Sequence, residues 1–316
     1  MEAEARPPVW MTLLAFAIIY LVWGSTYLAI RVGVHEVPPF LLASMRFLVA
    51  GAILLAWVIA RRERLPTLRQ WVSISLLSIF FFLLDYGLIF WAEQRVASGV
   101  TAVVMATIPV FIALLEIVFL RARKLTFRLA FALLMGIGGV AILMNRSLSA
   151  GGAPIDRVGI VAILAAAMSW AVATIFTRKV ELPLSKMVNS GAQMFVGGIF
   201  LGLAAFALGE FRGFHLSGVS REAWLALVYL IVAGSIFAFT AYLWLLDHES
   251  PTKVGTYAYV NPVVAVVVGY FLGGETLGPR TILGTLLILF SVVMITTARA
   301  KKPAPAAKAA AEALES

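Results

Sequence analysis

The chain has 316 residues, 62% of them apolar and 13% charged, with no cysteine and a formal charge of +9. A water-soluble domain is roughly half apolar and a quarter charged, so this balance excludes an ordinary soluble fold and reads as an integral membrane protein. Lack of cysteine excludes disulfides, thiol nucleophiles and thiolate metal sites, and the basic residues lie in short loops and the C-terminal segment, where membrane topology accounts for them without nucleic acid.

Apolar runs of about 20 residues without period-two alternation select helices over a barrel. The first predicted span, 10–32, carries Trp10, Tyr20, Trp23 and Tyr27 and lacks a basic n-region, so it is read as a span and not a cleaved leader. The second, 39–60, opens on Pro38 and Pro39, residues suited to a helix start. Spans 70–92, 97–120 and 126–144 complete a first half, 1–148. The loop 149–157, with Gly151 and Gly152, is the joint to a second half, 158–300. That half holds spans 158–178, 185–208 behind Pro183, 221–246, 252–272 and 279–298. Residues 301–316, rich in Ala, Pro and Lys, are expected to form a disordered basic tail.

One face of the membrane receives 17 of the 25 Lys and Arg, the other receives seven, and Arg46 lies inside a span. Both termini are therefore expected in the cytoplasm. The two halves are also related in register. An offset of 147 places Trp23 on Trp170 and Arg31 on Arg178, and an offset of 153 places Trp91 on Trp244, Thr101 on Val254 and Pro109 on Pro262. An offset of 152 sets Arg123-Lys124-Leu125 against Glu275-Thr276-Leu277, a loss of basic residues expected if the two loops face opposite sides. Five spans is an odd number, so duplicated halves must insert in opposite orientations. That arrangement is typical of secondary carriers, with the substrate site near the midplane between the repeats.

The segment Trp23-Gly24-Ser25-Thr26-Tyr27-Leu28-Ala29-Ile30-Arg31, the pair Arg46-Phe47, the helix from Ser98 to Pro109 and the pair Gly274-Glu275 resemble the EamA-type branch of the drug/metabolite transporter superfamily. The resemblance spans nearly the whole chain and is greatest to YddG-type bacterial exporters of aromatic amino acids. It implies an all-α fold of ten transmembrane helices, in two five-helix inverted-topology repeats around a central cavity. It also implies a multi-pass protein of the bacterial inner membrane, exporting aromatic and other bulky apolar amino acids by alternating access. A multidrug or general metabolite exporter on the same fold is the alternative. One departure is Arg123-Lys124 in the first half, where the second half has the family-like Gly274-Glu275.

Candidate substrate-binding residues come from both halves. Trp23 and Trp170 sit away from their helix ends and either sandwich an aromatic ring, at roughly 1 kcal/mol per contact, or fill helix packing. Pro109 and Pro262 interrupt mid-span hydrogen bonding and free the carbonyls of Met105 and Ala258, for a substrate ammonium or for a packed kink. Tyr257 and Asn261 share one face of the ninth span and Tyr259 an adjoining one, whereas the fourth span offers Thr101, Met105 and Thr107. Tyr86 can present a hydroxyl or pack in the core. Arg46 and Asp85, each seven residues from a span end, lie about 10 Å deep. They are expected to form a structural ion pair, with a substrate or proton role for Asp85 as the other reading. Gly198 and Gly202 form a G-x-x-x-G that suits close helix packing.

An enzyme would need a nucleophile, an acid/base pair or a metal cluster. The histidines His35, His215 and His248 fall in predicted loops, and no carboxylate is spaced to pair with Asp85. No rings of carbonyls or charges suggest a channel. The expected partners are a small-molecule substrate and the lipid bilayer, with no nucleic acid, no metal and no cofactor, in a monomer.

Overall fold

In hydrocarbon only helices and closed barrels satisfy every backbone N–H and C=O internally. A computed structural model describes residues 8–119, 126–144, 156–177, 179–183, 185–249, 254 and 257–297, and among these no strand occurs. The long helical stretches are α1 (Val9–Val34), α2 (Pro39–Ala60), α3 (Leu68–Glu93), α4 (Ser98–Val118) and α5 (Phe127–Met144). They continue with α6 (Arg157–Thr177), α7 (Lys186–Ala207), α8 (Arg221–Leu245, running on to His248), α9 (Tyr257–Leu272) and α10 (Pro279–Thr297). Seven of them, α1 to α4 and α6 to α8, are long and apolar enough to cross a bilayer, and α5, α9 and α10 are shorter apolar helices. Every predicted span is met by one of these helices. The glycine-containing part of the joint and the 301–316 tail lie outside the described residues.

Local sequence sets several starts. Pro39 occupies the first turn of α2, where its missing N–H loses nothing. Thr67 and Gln70 form a reciprocal capping box at α3, and Ser185 and Ser220 cap α7 and α8.

Two departures from a plain α-helix were not foreseen. Residues Ile79–Tyr86 of α3 and Leu230–Phe237 of α8 are π-helical, each eight residues long and displaced from one another by 151 positions. π-Helix makes up well under 1% of residues in proteins generally, so two copies at corresponding places mark a shared feature of the halves. The paired prolines behave differently from each other. α4 breaks after Met105 and restarts at Ile108, which puts Pro109 in the first turn of the second piece, whereas Pro262 lies within uninterrupted α9. At the break Thr107 N–H turns tightly to Val104 O (3.0 Å), so Pro109 sits where no helical N–H is required.

Helix contacts pair the two halves. The corresponding helices α2 and α7, α4 and α9, and α5 and α10 pack on each other. Contacts of α1 with α8 and α9 are matched by those of α6 with α3 and α4. Close approach rests on small residues. A Cβ on Gly198 would stand 2.6 Å from the Leu48 nitrogen, and Ser44 Oγ donates to Gly198 O (2.8 Å), so the 198/202 motif packs α7 on α2.

The halves also cap one another's helices. Phe40 and Leu41 N–H at the start of α2 donate to Glu210 (3.3 and 2.8 Å), and Ser185 Oγ at the start of α7 donates to Glu63 (2.6 Å). Glu63 and Glu210 are 147 positions apart, the same offset as the tryptophans. Ser220 donates through N–H and Oγ to Glu36 (2.6 Å each), and Ser98 N–H, Ser98 Oγ and Gly99 N–H donate to Glu275 (2.6, 2.6 and 3.0 Å). A carboxylate satisfies the unpaired N–H groups of a first turn and complements the helix dipole.

Replacing Gly198 by Ala is expected to lower stability by about 1–3 kcal/mol through backbone overpacking. Gly138 has open space where a Cβ would go, so Gly138→Ala should be neutral or stabilise by up to about 1 kcal/mol; thermal unfolding in detergent compares the two. The Ser220 hydroxyl, and then its N–H, hold the Glu36 carboxyl below the usual carboxylate range. A depressed folded value contributes stability above the unfolded value and loses it as pH falls through the folded one. Glu36→Gln is therefore expected to weaken the acid-side fall of the unfolding midpoint measured against pH.

Candidate functional site

The motif at the middle of α1 assigns one contact to each residue. Trp23 Nε1 donates to Gly234 O (3.0 Å) in the π-helical part of α8. A Cβ on Gly24 would stand 2.6 Å from Val264 Cβ and 3.2 Å from Asn261 O, so glycine lets α1 lie against α9. Ser25 Oγ reaches Tyr229 OH (2.7 Å), and Thr26 Oγ1 donates to Trp23 O (2.6 Å). The other half has a counterpart: Ser169 Oγ, beside Trp170, donates to Phe80 O (2.8 Å) in the π-helical part of α3. Each wide turn is thus held by the first helix of the opposite half.

Two aromatic clusters flank this crossing. Trp23 meets Tyr257 edge-on (5.2 Å between centroids) and Tyr242 (5.3 Å), and Trp170 meets Phe81 (4.7 Å) and Tyr86 (6.2 Å) edge-on. All six rings are half-buried. Trp23 and Trp170 do not stack on each other; each belongs to its own cluster.

Arg46 stands between the clusters. It is 2% exposed, its Nε donates to Ser235 Oγ (3.0 Å), and Ser235 Oγ in turn donates to Leu230 O (2.9 Å) across the wide turn. The guanidinium carbon lies 4.7 Å from the Phe47 ring centre and 5.3 Å from that of Tyr86, and its Nη1 has no hydrogen-bond partner.

The expected Arg46–Asp85 ion pair is not formed. Asp85 is 1% exposed with an unpartnered Oδ1, while Arg46 is drawn toward α8 by Ser235 and held by two ring faces. A second buried acid is Glu93, which lies just beyond the end of the predicted span 70–92. Glu93 is wholly buried and both its carboxylate oxygens lack partners. α3 runs on through Glu93, and Arg31 covers this end by donating to the carbonyls of Val96 and Glu93 while its Nε lies 3.6 Å from Glu275. A charged residue at a span end carries no periodic signal that marks it as interior.

The remaining predicted residues divide between packing and the site. Thr101 is wholly buried and bonds its own helix at Ala97 O (3.2 Å), and Met105, 5% exposed, packs in the core. Pro109 is half-buried and Pro262 buried. Asn261, with its amide nitrogen turned to the carbonyls, donates to Tyr257 O (3.3 Å) and Tyr20 O (3.2 Å), tying α9 to α1. The Tyr259 side chain lies outside the described residues.

These features have relatives. The profile of the EamA-like transporter family matches residues 10–145 and 157–297. The "Uncharacterized inner membrane transporter YedA" of Escherichia coli K12 is 36% identical over 293 residues, 92% of either chain. An "Uncharacterized transporter" of Archaeoglobus fulgidus is 27% identical over 289 residues, 90% of this chain and 97% of its own. A solved crystal structure shares the fold at 23% identity, with a TM-score of 0.58 over 99% of this chain and 100% of that one. The two-part profile match and the close bacterial relative agree with the helical architecture: the chain belongs to the EamA-like transporter family and is a multi-pass membrane transporter, not an enzyme.

Proposed function

We propose that this transporter exports aromatic and other bulky apolar amino acids or related metabolites across the bacterial inner membrane by alternating access. The observation that carries the reading is the pair of half-buried aromatic clusters, around Trp23 and Trp170, on either side of the buried Arg46. Edge-on rings that already pack in a T-shape offer the same geometry to a flat aromatic guest. Trp23, Trp170, Tyr86 and Tyr257 would contact the apolar part, with Asp85, Asn261 and the carbonyls near Pro109 and Pro262 at the polar end; Thr101, Met105 and Tyr259 belong to the surrounding wall.

The topology that goes with this function is ten spans in two inverted repeats, residues 1–148 and 158–300 joined by 149–157, in a monomer with cytoplasmic termini. Duplicated π-helical segments, matched helix contacts and reciprocal caps support it. The inner-membrane place is supported by the name of the Escherichia coli relative. An aromatic lining also suits flat, apolar compounds without an amino-acid head, which is the second reading: a general metabolite or multidrug exporter.

Flux of labelled tryptophan or phenylalanine in proteoliposomes, with and without a pH gradient and beside a cationic dye, tests the proposal. Saturable amino-acid flux is the expected result; dye movement without it favours the second reading. Trp170→Ala is expected to raise the apparent KM about fivefold, as for loss of roughly 1 kcal/mol of ring contact. Trp23→Phe keeps the ring but leaves Gly234 O unanswered, so it should cost about 1–3 kcal/mol of stability in thermal unfolding while flux per folded molecule is retained.

A further inference from the structure

At one end of the bundle three glutamates join the halves. Glu36, just past α1, accepts from Ser220 at the start of α8, and Glu210, past α7, accepts from the start of α2. Glu275, past α9, accepts from Ser98 and Gly99 at the start of α4. Glu63 and Ser185 meet at the opposite end, because the 22 residues of α2, about 33 Å of helix, separate Glu63 from the Glu210 cap. Glu36 is exposed and Glu210 half-buried, where water competes for each contact, but the Glu275 side chain is only 7% exposed. Gly274, at φ 62°, turns the chain back so that Glu275 N–H bonds Gly269 O (3.0 Å). A Cβ on Gly269 would stand 2.4 Å from Glu275 Oε2, so glycine there leaves the carboxylate room to cross the end of α9.

This one carboxylate from the second half collects three hydrogen bonds and a cation from the first, since Arg31 Nε lies 3.6 Å from its Oε1. The same Arg31 donates through Nη1 to the carbonyls of Val96 and Glu93, which draws the ends of α1, α3 and α4 to one point. Glu93 is 0% exposed there and neither of its carboxylate oxygens has a partner. A carboxyl shut away without a donor is costly, and it gains from any movement that admits water. The closed end thus holds a group that favours opening beside a contact that opposes it. We infer that Glu275 is the latch of this end of the transport pathway. It holds the halves together here while the other end is open, and lets go of Ser98, Gly99 and Arg31 when this end opens and Glu93 is wetted. This rests on the alternating-access reading above and adds the residue that closes one end.

The latch belongs to one half only. At an offset of 152 the counterpart of Glu275 is Arg123, so the first half has no carboxylate at that position. The contact that joins the halves at the opposite end is of another kind, a hydrogen bond from Ser185 Oγ to Glu63 (2.6 Å). The two ends are therefore closed by different chemistry and can be disturbed separately.

The chain has no cysteine, so an introduced thiol is the only one. Val100→Cys, 6% exposed and next to Gly99, reports on this end, and Val188→Cys, 0% exposed and three residues past Ser185, reports on the other. The measurement is the rate at which a water-soluble maleimide modifies each thiol in the purified full chain in detergent. Glu275→Ala is expected to raise the rate at position 100 about tenfold, as for loss of one charge-assisted contact, and to lower it at position 188, because opening one end closes the other. Glu63→Ala should shift the two rates the opposite way. Glu275→Gln, which keeps the shape and one acceptor, should fall between wild type and Glu275→Ala, and it carries the comparison where the alanine variant does not purify folded. Rates that rise at both ends mark a structural cap; that result, or no change at either end, overturns the latch and leaves alternating access standing. In the double variant Val100→Cys/Val188→Cys, modification of one thiol should slow the other. Two thiols that react independently overturn alternating access and the latch with it.

Discussion

A π-helical turn inside a bilayer presents carbonyls that no water can reach, and the two such turns in this chain are both answered from the opposite half. Gly234 O accepts from Trp23, and Phe80 O accepts from Ser169. An unsatisfied backbone group in hydrocarbon costs several kcal/mol. The first helix of each half therefore lies against the wide turn of the other and donates to one of its carbonyls. The rest of the packing follows from that need. Gly24 brings α1 onto α9, Thr26 secures its own turn beside Trp23, and Ser25 ties α1 to Tyr229. A motif that looks like a string of small and aromatic residues is a row of contacts, two to α8, one to α9 and one within α1.

The helix ends repeat this logic at the membrane surface. A helix start leaves unpaired N–H groups, and here glutamates reach across from the other half to them. Glu210 accepts two N–H groups of α2 directly, and Glu63 accepts the hydroxyl of Ser185, which itself caps the Val188 N–H of α7. Because these carboxylates come from the other half, separating the halves at one end exposes helix starts there. A carrier that opens alternately at its two ends can use such caps as its closing contacts, since a carboxylate that leaves an N-terminus at the surface finds water in exchange.

Hydropathy made the helices legible, because a bilayer leaves little freedom in length or composition for a spanning segment. The offset of 147 was legible from Trp23 and Trp170 because large aromatics are rare enough for a coincidence to carry weight. The same offset joins Glu63 to Glu210, but both lie in charged loops, where a matching glutamate is unremarkable without the helix start it caps. The π-helical turns left no trace, since a change from four to five residues per hydrogen bond moves a side chain around the helix without altering its type. The Arg46–Asp85 pair failed for a related reason. Both residues are buried, but two such residues on different helices meet only if both can turn, and Ser235 and Phe47 turn Arg46 elsewhere. Glu93 was missed because its burial comes from helices packed around the end of α3, among them α1, whose Arg31 donates to the Glu93 and Val96 carbonyls.

That failure of pairing bears directly on what the protein can carry. A buried ion pair is a closed interaction: breaking it to admit a ligand loses nearly what the ligand brings. Arg46 is instead held by neutral neighbours, Ser235 and the Phe47 and Tyr86 rings, and keeps an Nη1 without a partner. Ser235 serves both purposes, since its hydroxyl closes the wide turn of α8 through Leu230 O and restrains Arg46 through Nε. The backbone irregularity and the unpaired charge are thus one device. The turn that accepts from Trp23 also fixes the guanidinium, so a movement of the halves that loosens Trp23 from Gly234 reaches the residue next to it, Ser235, and through it Arg46.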